Sequence, residues 1–405
     1  VERTPSAGRF TDDFLDELRQ LGDLEADEVV AAYLQSAVLD VDGDGIDDLH
    51  QRPVRLMRGM LSLPVGSDRH PHRVQEFLHR PIELPSWTST EQIAAGQDVF
   101  WTYAPQLGLG LWLASIPSGY AGARDAIVLG ESIRCVSDPR SRFLETGQFV
   151  IDVMSPGALE PGGIGVRDIR HVRLVHALAR HLIKEHQDLT DPDFTWTAEL
   201  GEPVNQMALL ATQFTFSVVG LEVLDKLGIR LTRDEAEAYV HLWNVVGALL
   251  GVREDLLPLD HAASSQVWAR IKAREYAPSP QGVELTQAAL GVMRQLMPGR
   301  LLDGFPATGI RAMIGDDVAD LLEVPPANWT RSLLWPGRVA NGLGARMNRE
   351  IPVLRHLSKW MGRYVFTKFV EMELARQGER ASFEIDDELR KRLVLRSRER
   401  RTKGV

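Results

Sequence analysis

The residues best suited to chemistry crowd into one run, Arg167 to His186. It holds His171, His176, His181 and His186, four of the chain's eleven histidines, with no proline or glycine inside. Imidazole changes charge near neutral pH and is the commonest side-chain metal ligand, so the run points to a cofactor or to acid–base work. Its period limits that reading. Steps of five on a helix advance by about 140°, so the rings fan around the axis and cannot all share one metal. One or two of them face a site. Val172, Val175, Ala179 and Leu182 form a single stripe that is expected to face the core. His176 lies next to that stripe and His171 sits one turn before Val175, at its edge. Two readings stand for each: a core histidine bonded to a carbonyl, or a ligand or acid–base group. Under the second, Arg167, Arg170 and Arg173 supply cations for carboxylates of a cofactor or an acidic substrate.

Other constellations are shorter. Tyr239-Val-His241-Leu-Trp243 lies on a helix opened by the capping box Thr232-Arg-Asp-Glu235. His241 shares a face with Ala238, Val245 and Ala248, which suits a satisfied core histidine or an axial haem ligand. In Arg142-Phe-Leu-Glu-Thr-Gly-Gln-Phe149, Glu145 stands among apolar neighbours, as a general base or as the partner of a nearby arginine. Thr212, Gln213, Thr215 and Ser217 interrupt an apolar helix and need partners, either in a pocket or on the next turn. Asp40, Asp42, Asp44 and Asp48, around Gly45, match the oxygen spacing of a calcium loop, although Gln51 replaces the bidentate glutamate of an EF-hand. The alternative for that segment is an acidic surface turn. Dinucleotide, P-loop, serine-hydrolase and zincin motifs are all missing.

These groups need a scaffold, and the sequence reads as helical almost throughout. Amphipathic periods run through Phe10 to Leu39, Ser141 to Met154, Gln206 to Leu227, Thr232 to Leu250, residues 262–320 and Pro352 to Gln377. Gln106 to Ser132 reads as a packed helix followed by a turn at Ile116-Pro-Ser-Gly, and Gly337 to Gly344 as a glycine-punctuated connector. No βαβ alternation is present, so the fold class is all-α. It is expected as a helical extension over residues 1–80, a main domain over 81–380 and a basic tail over 381–405. A net charge of −10 argues against broad nucleic-acid binding. Cys135 is the only cysteine, which excludes an internal disulfide and a Cys-rich cluster. No stretch approaches eighteen uninterrupted apolar residues and none reads as a signal peptide, so no membrane span is expected. Compartment and oligomeric state stay open.

Taken in order, Arg142-Phe-Leu-Glu-Thr-Gly-Gln-Phe149, Val172-Arg-Leu-Val-His-Ala-Leu-Ala-Arg-His181, Pro203-Val-Asn-Gln206 and Glu237-Ala-Tyr-Val-His-Leu-Trp-Asn-Val-Val-Gly247 resemble a known family. It is that of the latex-clearing proteins (rubber oxygenases) and the fungal oxygenase of mycophenolic acid biosynthesis. The resemblance implies an all-α protein, globin-like at its centre, that holds haem b and uses dioxygen on an apolar, isoprenoid-like substrate. In the latex-clearing branch a distal lysine and threonine flank the iron, and His171 and Val172 align there. The family's axial histidine aligns near Phe214, so His176, with His171 as a possible second axial ligand, or His241 takes over the iron. Glu145 stands for the family's distal carboxylate base. A haem-free binding protein for an apolar ligand, or a non-haem metal enzyme using His171, His241 and Glu145, are the alternatives.

Overall fold

The structure, a computed structural model, describes residues 7–39, 72–131, 139–184, 196–297 and 299–376. Among them no strand forms, and pairing outside helices is limited to an antiparallel bridge between Gly122 and Tyr276. The all-α class follows as the periodicity predicts. The N-terminal helices are α1 (Asp12–Arg19), α2 (Leu24–Leu39) and α3 (His72–His79). Then come α4 (Thr90–Thr102), α5 (Ala104–Gly110), a π-helical turn Leu111–Ser115, α6 (Ile116–Ala121) and α7 (Ala123–Glu131). The helix carrying Glu145 is α8 (Pro139–Met154), and the histidine run forms α9 (Ile164–Lys184). The central helices are α10 (Gln206–Phe216), α11 (Val218–Lys226) and α12 (Arg233–Leu249). Finally come α13 (His261–Glu275), α14 (Pro280–Leu296), α15 (Phe305–Ile314), α16 (Asp316–Leu321), α17 (Leu334–Glu350) and α18 (Pro352–Arg376).

Helix starts follow side-chain chemistry. Ser89 Oγ accepts the Gln92 N–H at 3.2 Å to open α4, and Asn205 Oδ1 accepts the Ala208 N–H at 2.9 Å to open α10. Thr232 and Glu235 close the expected capping box on α12. Each such cap contributes about 1 kcal/mol. Packing then fixes where the helices lie. α4 and α12 pack most closely: a Cβ on Gly96 would stand 2.6 Å from the Ala238 carbonyl oxygen, so glycine is needed for that approach. α18 lays Phe366 edge-on against Phe100, at 5.9 Å between ring centres, and over Gly108 of α5. Met207, Leu210 and Phe214 of α10 are wholly buried. The stretch Gln206–Lys226 is long and apolar enough to cross a membrane, but 83% of it is buried against the rest of the chain.

Three expectations change. The glycines of 337–344 do not break the chain, because α17 runs straight through them and Gly342 lies against the backbone of Gly228. Ile116-Pro-Ser-Gly is no turn: its proline occupies the first turn of α6, where a missing N–H costs nothing. The stripe Val172, Val175 and Ala179 is only half-buried. The deep face of α9 is instead Ile169, Leu174, Ala177 and Leu178, the last three packed against α2 and α3. Asp40, Asp42, Asp44 and Asp48 lie outside the described residues.

Charge is also buried away from the histidines. Arg19 of α1 reaches Glu275 of α13 at 2.5 Å, with both side chains almost fully enclosed, and Arg274 stands 3.1 Å from the same carboxylate oxygen. Burial, reinforced by the Glu275 charge, pushes the Asp125 carboxyl up to about 7, against the pull of Arg19 and Arg124. Glu275→Ala leaves Arg19 charged and buried without its carboxylate, and unfolding in urea should show a loss of roughly 3–5 kcal/mol. Asp125 has a folded pKa above its unfolded value of 3.8, so its penalty is absent at low pH and grows as pH rises towards 7. Asp125→Asn should therefore raise the melting temperature more at pH ~8 than at pH ~4. Equal shifts at the two pH values would contradict this account.

Candidate functional site

The cations of α9 determine which way its rings point. Arg173 grips Asp23 with two hydrogen bonds of 2.7 and 2.8 Å, adds Glu25 at 2.9 Å, and lies over the Phe77 ring. Arg170 donates to the Leu78 carbonyl at 3.0 Å. Arg180 pairs with Asp27 at 2.7 Å and donates to the Val204 carbonyl at 2.9 Å, and Lys184 reaches Glu202. Arg170 and Arg173, expected as carboxylate clamps for a cofactor, are thus committed to holding α9 on α2, α3 and the turn between α1 and α2. Arg167 lies beside a buried acid pair. Asp152 of α8 is raised above the usual carboxylate range by burial, while hydrogen bonds from Asp168 and Gln148 and the charge of Arg167 oppose that rise.

With those faces anchored, the histidines separate in role. His176 retains some surface, yet its Nδ1 is enclosed with no hydrogen-bond partner. Burial, then the charges of Arg180 and Arg142, pushes its basicity down to about 3, so the ring is neutral at physiological pH. His171 is buried, and His181 half-buried. His241 is placed otherwise than expected for an iron ligand. Its Nε2 accepts the backbone N–H of Ser89 at 3.0 Å, and Trp87 meets the ring edge-on at 5.5 Å. That bond ties α12 to the start of α4, the satisfied-histidine reading. Phe214, the position expected from the resemblance to match an axial histidine, is wholly buried and packs against Trp268 at 6.2 Å.

Across from α9 stands α8. Glu145 is buried, with Arg142 NH1 at 3.7 Å, so the arginine partner considered from sequence is present. Thr146, one turn after Arg142, sits 3.5 Å from the same guanidinium nitrogen. Arg142 is near enough for its charge to act on His176, which relates this end of α8 to the enclosed imidazole of α9. The half-buried Val172, Val175 and Ala179 flank His176 on α9. On α10, Thr212 is exposed amid otherwise buried neighbours, and Phe216 is half-buried. Of the other polar groups of α10, Thr215 donates to the Thr212 carbonyl and Ser217 to the Gln213 carbonyl, while Gln213 donates its Nε2 to Asn244 at 3.1 Å and leaves its Oε1 enclosed with no hydrogen-bond partner among the described residues.

Phe216 also borders an apolar cavity behind the π-helical turn, lined by Phe100, Leu107, Leu111, Tyr239, Trp243 and Phe366 among others. Trp243 stacks on Phe216 at 4.8 Å. Two of the cavity's polar lining groups are turned to the backbone, Tyr239 Oη to the Phe216 carbonyl and Ser115 Oγ to the Thr215 carbonyl, while the Trp243 indole N–H is enclosed with no hydrogen-bond partner among the described residues. The rest of the wall is apolar and suits hydrocarbon. The sequence marks Glu145 with Thr146 and expects a nearby arginine, but singles out neither Arg142 nor this cavity. The spacing of Arg142 to Glu145 and Thr146, three and four residues along one helix face, was the available signal for Arg142. The cavity brings together eight separate elements and has no signal in any one of them. Among the described residues no three His, Cys, Asp or Glu side chains are arranged to hold a metal ion, so His171, His241 and Glu145 do not form the non-haem site weighed above.

Comparison with known proteins bears on family and fold. The family described as "ER-bound oxygenase mpaB/B'/Rubber oxygenase, catalytic domain" matches residues 94–345. A rubber oxygenase of Streptomyces sp. (strain K30) is 24% identical over 371 residues, covering 90% of this chain and 85% of the relative. A solved structure of latex clearing protein in its closed state superposes with a TM-score of 0.66 at 21% identity, covering 87% of this chain and 91% of that one. The family match spans α4 to most of α17, and so takes in α8, α9, α10 and α12, the helices that build the site. This chain belongs to the family of mpaB-type and rubber oxygenase catalytic domains.

Proposed function

We propose that the chain is a haem b oxygenase that uses dioxygen to oxidise an apolar, isoprenoid-like substrate, with His176 as the axial ligand. The observation that carries this reading is the His176 ring: neutral, enclosed at Nδ1 with no hydrogen-bond partner there among the described residues, and within reach of the charge of Arg142 on α8. A buried polar atom without a partner is costly, and iron is the partner a neutral imidazole suits best. The residues present therefore fit the group. Bound haem would supply the redox chemistry that activates dioxygen, which no side chain here can do.

The chain's own residues have the remaining tasks. Arg173 and Arg180 hold α9 so that His176 keeps its orientation. Glu145, buried beside Arg142, is placed to take a proton at Oε2 from a substrate carbon or a bound water, and Arg142 steadies the resulting arrangement. Val172, Val175 and Ala179 keep water from the region, and the Phe100–Trp243–Phe366 cavity offers the apolar surface against which a hydrocarbon chain can lie. His171, buried one turn before Val175, is the second imidazole on this stretch of α9. The relatives' names point to polymeric rubber as one substrate of this kind, and the aliphatic and aromatic lining favours the same class.

Reconstitution with haemin gives the first test. The purified chain should gain a Soret band near one haem per chain, His176→Ala should lose it, and His241→Ala should keep it, because His241 caps α4. A His176→Ala protein with full haem content and an unchanged spectrum would remove His176 from the iron. Failure of the wild-type chain to take up haem would remove the oxygenase reading altogether. In the haem-loaded enzyme, Glu145→Gln should retain the Soret band while oxygen uptake with an isoprenoid substrate falls by about 10²- to 10⁴-fold. Unchanged turnover would show that Glu145 holds Arg142 and moves no proton.

A further inference from the structure

The C-terminal helices leave an apolar face uncovered. Among the described residues, fourteen of the nineteen exposed large apolar side chains lie between 329 and 372. Trp335 (72% exposed) and Leu343 (59%) fall on one side of α17, two and more turns apart. On α18, Leu357, Trp360 (61%), Met361 and Tyr364 recur at three- and four-residue steps, and the Trp360 and Tyr364 rings stack at 5.7 Å. The opposite side of α18 is the one that packs inward, through Gly362, Phe366 and Val370. A helix apolar on both sides needs an apolar partner on each, and a patch concentrated in this way marks a contact surface.

Charge identifies the partner. The chain as a whole carries −10, yet residues 329–376 hold nine arginines and lysines against three glutamates. Several of the nine are neutralised, such as Lys359 by Asp98 and Arg346 by Glu350. Among the described residues, Arg331, Arg338, Arg349 and Arg363 have no carboxylate within ion-pair distance, and Arg363 lies over the Trp101 ring. Tryptophan and tyrosine on an apolar helix face, bordered by unpaired arginines, are the composition that settles at the boundary between lipid headgroups and acyl chains. A second copy of the chain fits less well, because a two-fold contact would set these arginines against their own equivalents.

We propose that α17 and α18 dock the protein on an anionic lipid surface, with Trp335, Leu343, Trp360 and Tyr364 entering the headgroup boundary and the arginines meeting lipid phosphates. The placement bears on access. Phe366 lines the apolar cavity from the inner side of the same helix, so a lipid-dissolved hydrocarbon would meet the protein one helix away from that cavity. The docking itself requires no haem, and its test is independent of the haem reading.

Flotation of the full chain with vesicles tests it. Mixed phosphatidylcholine and phosphatidylglycerol vesicles should carry the protein upward several-fold better than phosphatidylcholine alone, and added salt should reduce the difference. The combined Trp335→Ser, Trp360→Ser and Tyr364→Ser variant should lose flotation, while Arg338→Gln with Arg349→Gln should lose the preference for the anionic vesicles. Circular dichroism and a thermal melt identify each variant as folded; if the triple variant fails to fold, Leu343→Ser and Met361→Ser, made singly, take its place. Three results overturn the proposal: no flotation with either vesicle, undiminished flotation of the apolar variants, or a dimer in sedimentation that those variants dissociate.

Discussion

The orientation of one helix decides the rest, and ion pairs set it. α9 carries a cation or a histidine at almost every turn, and a helix so polar has no intrinsic preference for how it rolls against its neighbours. Arg173 on Asp23 and Arg180 on Asp27 remove that freedom. These pairs are largely withdrawn from solvent, so releasing either carboxylate would strand a guanidinium in the interior. With the roll fixed, Leu174, Ala177 and Leu178 go down onto α2 and α3. His176 is left on another face, enclosed at Nδ1. Its placement is thus a by-product of how the N-terminal helices clamp α9.

Much of this was legible in the residues. Caps at Ser89, Asn205 and Thr232, and the 3.6-residue period, were enough to place most helices. The period of five was also enough to show that the histidines could not act together. Two kinds of information were not legible. The first is which of two apolar stripes on α9 is deeper: Val172–Val175–Ala179 and Leu174–Ala177–Leu178 look alike in sequence, and only the position of Asp23 and Asp27 chooses between them. The second is where glycine means close approach. Gly342 reads as a break, but it lies inside a helix against Gly228, because a Cβ there would crowd the other backbone.

The same logic explains the alignment near Phe214. Sequence similarity over the apolar α10 is weak in information, since many apolar orders fit a buried helix. The structure places that residue against Trp268, in solid core, and puts the unsatisfied imidazole on the preceding helix. Family membership and fold rest on the match over residues 94–345 and on the superposition. The assignment of His176 rests on its own burial and lack of a partner.

The cavity behind the π-helical turn is bounded unequally. On one side, α4 and α12 meet through Gly96, where a Cβ would run into the Ala238 backbone, and His241 pins the middle of α12 to the start of α4. That wall is stiff, because a close-packed pair has no slack into which either helix can shift. On the other side stands α18, packed along one face only. Any widening of the cavity must therefore be taken up by α18, whose outer surroundings set how far it can yield. The shape of the cavity is in this sense held jointly by the protein and by whatever medium bathes that helix.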